Sequence, residues 1–284
     1  MKELVFVDKP EVILGRLSQL KQKMQFPWSK THRRRELLAQ PFPIEWHGYL
    51  SAVAYYSLLP GNQQSTLQDI TRILMAEKHW EGCGGLTLTD EMKVIIAAQA
   101  AVLVLGFDAD YYANVETILV YPSGFLVTTT RPETGRVLRE DLMPLSGEAA
   151  LRGPVIVSWS DALQGGRNFG DGHNVVLHEF AHKLDMRDGA ADGAPYLKDA
   201  VQVDRWSRVM SAEYAALVQL TQAGEPTLLD AYGATNAAEF FAVATECFFE
   251  RPRPMLHLHP ELYGVLRDYY RQDPAELFAA LGRN

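Results

Sequence analysis

The chain has 284 residues, 47% hydrophobic and 22% charged, the balance of a globular protein of one or two domains that can bury a core of its own. Its 27 Lys and Arg against 35 Asp and Glu leave a net charge of -8, which argues against nucleic-acid phosphates as a direct partner. Cys83 and Cys247 are far apart and form no CxxC pair, so neither a disulfide framework nor a thiolate metal site is expected, and a reducing cytoplasm fits.

The opening MKELVFVDKPEV has neither the apolar stretch nor the small-residue cleavage site of a signal peptide. After Pro10, Val12, Leu14, Leu17, Leu20 and Met24 recur at helical spacing and predict an amphipathic helix over Glu11 to Met24, an extension of about residues 1–30. A Pro- and Trp-rich stretch follows from Phe26 to Trp46, where His32, Arg33, Arg34 and Arg35 open a short, solvated helical pattern that Pro41 and Pro43 end. Helical spacing returns at Gly48 to Leu59 and Leu67 to Lys78, and Asp90 is read as the cap of a long apolar helix reaching Leu105. The longest apolar run, Val94 to Phe107, falls short of the roughly 20 residues that cross a bilayer, so no membrane span is expected.

The pattern then changes. Val115 to Tyr121 and Phe125 to Thr130 are rich in β-branched and aromatic residues and flank Pro122-Ser123-Gly124, which predicts a hairpin. Pro154 to Trp159 reads as a third strand, followed by a glycine-rich loop from Gly165 to Gly172. Helices are predicted at His173 to Met186, Asp199 to Ala223, Ala237 to Phe249 and Glu261 to Tyr270. The fold class is α+β, mostly helix around a small sheet.

The chemistry is concentrated in His178-Glu179-Phe180-Ala181-His182, an HExxH motif within the apolar helical run Val175 to Leu184. Residues four apart sit almost above one another on a helix, so both imidazoles can reach one Zn²⁺ while Glu179 lies beside the metal as a base for its water. Lys183, directly after the second His, is charged where such helices are usually uncharged. A catalytic zinc needs a third protein ligand and an open position. Asp188, ten residues after His178, has the metzincin spacing, but Asp185 stands where that route needs glycine. His257 and His259 fall in a proline-broken segment, Arg251 to Pro260, that reads as surface loop. Glu239 opens an apolar helix that would pack on the first and is the strongest candidate, with a competing role as the reaching-back member of a capping box after Asn236.

HEFAHKLD (His178 to Asp185), AEFFAV (Ala238 to Val243) and GPVIVSW (Gly153 to Trp159) resemble the Mlc titration factor A family of bacterial zinc peptidases. So do Gln40-Pro41-Phe42-Pro43, Leu86 to Glu91 and Tyr269 to Pro274, and the likeness covers most of the chain. The resemblance implies a gluzincin-like (zincin-like) fold similar to the catalytic domain of anthrax lethal factor, in one domain over about 31–284 with its active-site half from about 153. It implies Glu239 as third zinc ligand and Tyr232, seven residues earlier, as the residue facing the scissile carbonyl. It also implies a cytoplasmic aminopeptidase and binding to the glucose-regulon repressor Mlc. A phenol beside zinc suits the carbonyl oxygen, which gains negative charge as an amide is hydrolysed. Asp185 is read as orienting a ligand imidazole or pairing with a surface cation, and Glu246, on the face of Glu239, as supporting the site. Thermolysin-like helices carry an acid four residues after the ligand Glu; Val243 stands there. Strand Val155 to Ser158 offers either a core strand or an edge for an extended substrate. The competing class is a repressor-sequestering protein with weak or vestigial peptidase chemistry. Neither GxSxG nor GxxxxGK[ST] occurs.

Overall fold

The computed structural model describes residues 27–108, 112–123 and 153–280. The expected helix Glu11 to Met24 and strand Phe125 to Thr130 lie outside them. The chain divides into two compact units after Pro41. The described part of the first is helix α1 (Pro27–Ala39), on which His32 and Glu36 pair one turn apart at 3.1 Å.

The second unit is α+β, mostly helical around a three-stranded sheet. Helix α2 (Ile44–Leu50) is separated by Ser51 to Val53 from a short 3₁₀ segment, Ala54–Leu58, where one continuous helix was expected. Helix α3 (Gly61–Glu77) leads into β1 (His79–Gly82). Helix α4 (Asp90–Leu103) is buried from Val94 onward and runs through the core. Its cap is Thr89, whose hydroxyl accepts from the Met92 N–H, and Asp90 is the first helical residue, paired with Lys93.

Strands β2 (Thr117–Tyr121) and β3 (Val155–Ser158) complete a sheet of order β1-β2-β3, parallel throughout, with Ile118 opposite His79's neighbour Trp80 on one side and Val155 on the other. Both edges of β2 are therefore occupied, which corrects the expected antiparallel hairpin at Pro122. The sequence pattern missed β1 because HWEG lacks apolar alternation; its ladder comes from β2, which accepts the His79 N–H at Glu116 and the Cys83 N–H at Val120.

Helix α5 (Trp159–Arg167) starts at the last residue of the expected strand, with Ser158 as its cap, and runs on through Gly165 and Gly166, the start of the expected loop. These glycines permit close approach: a Cβ at 165 would lie 3.0 Å from Asn174 Cγ, and one at 166 3.0 Å from Ala52 O. Helices α6 (Val175–Asp185), α7 (Ala200–Ala223) and α8 (Ala237–Glu250) follow, capped by Asn174, Asp199 and Asn236. Then come α9 (Pro252–Leu258), α10 (Pro260–Tyr270) and α11 (Pro274–Ala280). The segment 251–260 is thus helical rather than loop, since Pro252 and Pro260 occupy first-turn positions that tolerate a missing N–H. No helix among the described residues is long and apolar enough to cross a membrane.

Candidate metal centre

Helices α6 and α8 pack on each other, and this contact sets the site. His178 Nε2 lies 3.0 Å from Glu239 Oε2, His182 Nε2 3.3 Å from the same oxygen, and the two imidazole nitrogens are 3.2 Å apart. Among the described residues these three are the one group of His, Cys, Asp and Glu able to share a metal ion. The fit is close. A tetrahedral ion bound at about 2.0–2.1 Å has ligand–ligand edges of about 3.3 Å, leaving a fourth apex open.

The His178 ring is held from behind. His178 Nδ1 is 2.7 Å from Glu246 Oε1, a contact that favours a proton on Nδ1 and leaves Nε2, the nitrogen facing His182 and Glu239, as the one to give up its proton to an ion. The acid that meets His178 is thus Glu246 and not the residue at position 243; Val243 instead packs against Gly233, where a Cβ would come within 3.3 Å of it. The other oxygen of Glu246 accepts the backbone N–H of Asn174. Asn174 caps α6 by accepting from Val176 and Leu177, and its amide donates to Gln99 on α4 at 3.0 Å. A buried polar chain Gln99–Asn174–Glu246–His178 thus fixes the start of the HExxH helix and its first imidazole together. Neither Asn174 nor Gln99 was singled out from sequence, though Asn before the apolar run VVLHEF is a readable cap signal.

Glu239 serves two purposes. Its backbone N–H donates to Asn236 Oδ1 at 3.0 Å, as a third helical residue should, but its carboxylate turns to the imidazoles and not back to the cap. Burial works to raise its pKa, yet His178 and His182 outweigh this and hold it at about 2. For His178, burial works against the proton, and the carboxylates of Glu239 and Glu246 overcome it to bring the ring to about 10. The cluster therefore holds a cation's worth of negative potential, which a proton can satisfy in the absence of an ion. Glu179, half-buried beside it, is pushed above the ordinary carboxylate value by burial, against the pull of His178 and His182.

Tyr232 lies in a 3₁₀ turn, Ala231–Ala234, started by Asp230, which accepts the Tyr232 N–H at 2.7 Å and pairs with His173 at 3.5 Å. Its ring centroid is 6.1 Å from that of His178, and the side chain is 37% exposed, open to an incoming ligand. The remaining candidates are placed elsewhere. Asp188 accepts the Ala190 N–H, and His259 Nδ1 is 2.8 Å from Glu213, while His257 is exposed on α9. Asp185 is wholly buried, not on the surface, and accepts the Gly193 N–H at 3.0 Å. Burial pushes its carboxyl up to about 6, only partly relieved by that hydrogen bond. Lys183 is also buried, donating to Gly153 O, and burial lowers its pKa.

Two helices thus present two imidazoles and a carboxylate to one point, a donor set able to hold a metal ion, with a further Glu alongside. Residues 28–271 match the model of the glucose-regulated metallo-peptidase M90 family, and the chain belongs to that family. It is 38% identical over 253 residues to an uncharacterized protein of Synechocystis, covering 87% of this chain and 92% of that one. It is 33% identical over 257 residues to Mlc titration factor A of Serratia proteamaculans, covering 88% and 94%, and 30% identical over 250 residues to Mlc titration factor A of Yersinia pestis, covering 87% and 89%.

Proposed function

We propose that this protein is a zinc-dependent metallopeptidase of gluzincin type with aminopeptidase-type action, in which His178, His182 and Glu239 hold the ion. The observation that carries the proposal is the triangle of donor atoms with 3.0, 3.2 and 3.3 Å edges, backed by Glu246 on the far nitrogen of His178. Zinc, when bound there, supplies a Lewis acid that makes water acidic enough to attack at neutral pH. Glu179 takes the proton of the attacking water and passes it to the leaving amine nitrogen, a task suited to a carboxyl whose pKa is raised above the ordinary value. Tyr232 donates its phenolic hydrogen to the substrate carbonyl oxygen as that oxygen gains charge. Asp230 orients the tyrosine by capping its turn. Family membership and the sequence resemblance support peptide bonds as substrate, and the resemblance supports action at the amino terminus. The two cysteines, both free, are consistent with work in the cytoplasm.

The name shared by the Serratia and Yersinia relatives favours a second role, binding of the Mlc repressor, with hydrolysis weak or dispensable for it. Both readings are tested on purified full-length chain by zinc content, hydrolysis of an aminoacyl chromogenic substrate and repressor pull-down. Near-stoichiometric zinc in wild type, lost in Glu239→Ala together with hydrolysis, is the expected result. Glu179→Gln is expected to keep zinc and lose at least about 10³-fold in hydrolysis. Full zinc retention in Glu239→Ala overturns the third ligand, and a wild type that takes up no zinc and hydrolyses nothing while binding the repressor favours the second role.

A further inference from the structure

Beyond the C-terminal end of α6 lies a cavity of about 260 Å³ that the donor cluster does not use. Its inner wall is aromatic. Trp206 is buried, donates its indole N–H to Gly193 O at 3.0 Å, and packs edge-on to Tyr269 with ring centroids 5.5 Å apart. Around this wall stand four cations, Arg187, Lys198, Arg205 and Arg271, against two carboxylates, Asp108 and Asp268. In a chain of net charge -8 this lining is a local reversal of sign.

Two of the cations are committed. Arg205 pairs with Asp268 and lies across Gly264, where a Cβ would come 2.9 Å from its guanidinium; Arg271 pairs with Asp108 at 3.1 Å. Arg187 and Lys198 have no ion-pair partner among the described residues. Asp185 and Asp188 lie in the same neighbourhood, but neither is within ion-pair distance of Arg187 or Lys198; they accept the Gly193 and Ala190 N–H groups. Two uncommitted cations beside an aromatic wall are what a small anion with a ring requires, its charge on the cations and its ring against Trp206 and Tyr269. The volume is below the roughly 300–1,000 Å³ of pockets for drug-sized ligands, which limits the guest to about one ring and one anionic group.

The geometry points to a second binding site, for a small ring-bearing organic anion such as an aryl or cyclic monophosphate or carboxylate, at Arg187 and Lys198. The test is calorimetric titration of the full chain at low salt with phenyl phosphate and benzoate, against phenol and inorganic phosphate. Saturable binding of one ring anion is expected, with the tighter of the two identifying the head group. Phenol and inorganic phosphate are expected to bind at least tenfold more weakly. The double variant Arg187→Gln/Lys198→Gln should weaken the ring anion at least tenfold and leave the circular dichroism spectrum unchanged, since both side chains are exposed. Binding that persists in Glu239→Ala separates this site from the metal centre. The inference is overturned by the absence of saturable binding with either ring anion, by equal binding in the double variant, by inorganic phosphate binding as tightly as phenyl phosphate, or by loss of binding in Glu239→Ala.

Discussion

Helix α8 carries a buried or half-buried glutamate at each end, and the two are held in opposite states. Glu239, in the first turn, faces two imidazoles and is held at about 2 although burial works the other way. Glu250, the last residue, is pushed up to about 8, first by burial and then by Asp171 and Glu246, with only partial relief from Asn174 and the Gly172 N–H. One of its oxygens is buried without a hydrogen-bond partner among the described residues. The helix dipole adds to the contrast, favouring a negative charge at the first turn and disfavouring one at the last. Burial penalises both carboxylates alike, so the charge state is decided by what each one faces.

The comparison is sharpened most by Glu250→Gln. A folded pKa of about 8 against an unfolded value near 4.5 means that the folded chain holds the extra proton between these limits, so stability falls as pH rises through them. The slope is at most about 1.4 kcal/mol per pH unit, and wild type should lose on the order of 4 kcal/mol between pH 4.5 and 8 that the variant keeps. Urea unfolding of both proteins at pH 5 and pH 8.5 measures the gap, and a gap that does not widen with pH breaks the comparison. Glu239→Gln should behave in the reverse sense in metal-free protein. Its depressed pKa contributes stability above about pH 4.5 that is lost as pH falls toward 2, so the variant should be weaker by up to about 3 kcal/mol at pH 6 and equal to wild type near pH 2.

Between the two ends, Glu246 touches His178 and raises Glu250. Glu246→Gln should weaken metal affinity about 10–100-fold in a competitive chelator titration and move the stability midpoint of Glu250 below pH 8. The smallest effect is expected at the cap: Asn236→Ala leaves the Glu239 N–H without its acceptor and should cost about 1 kcal/mol in thermal unfolding.

The metal-donor cluster was more legible than the sheet. HExxH works through the i, i+4 spacing of one helix, so His178 and His182 share a face wherever that helix sits. Glu239 was legible as the strongest of the downstream candidates and as what the resemblance implied, but spacing alone does not say which of Asp188, His257, His259 or Glu239 returns to the imidazoles. Packing of α8 on α6 brings Glu239 there and leaves Asp188 on its own turn. The sheet was harder to read, since β1 is polar in sequence and is made a strand by β2, and the parallel pairing of β2 with β3 joins residues 37 positions apart.

By itself, the sequence determined what local periodicity and short motifs encode: the helices flanking the site, the two histidines and the neighbouring Glu179, and the α+β class. Tertiary structure decided what spacing left open: that Glu239 rather than Asp188 faces both histidines, that Glu246 meets the far nitrogen of His178, and that Lys183 and Asp185 are buried. It also decided that four cations from separate elements meet at one aromatic wall. The physical reason is common to all of these. Each depends on groups distant along the chain facing one another in a medium of low polarity, where a partner a few ångströms away changes charge and affinity, and such facing is set by packing and not by spacing.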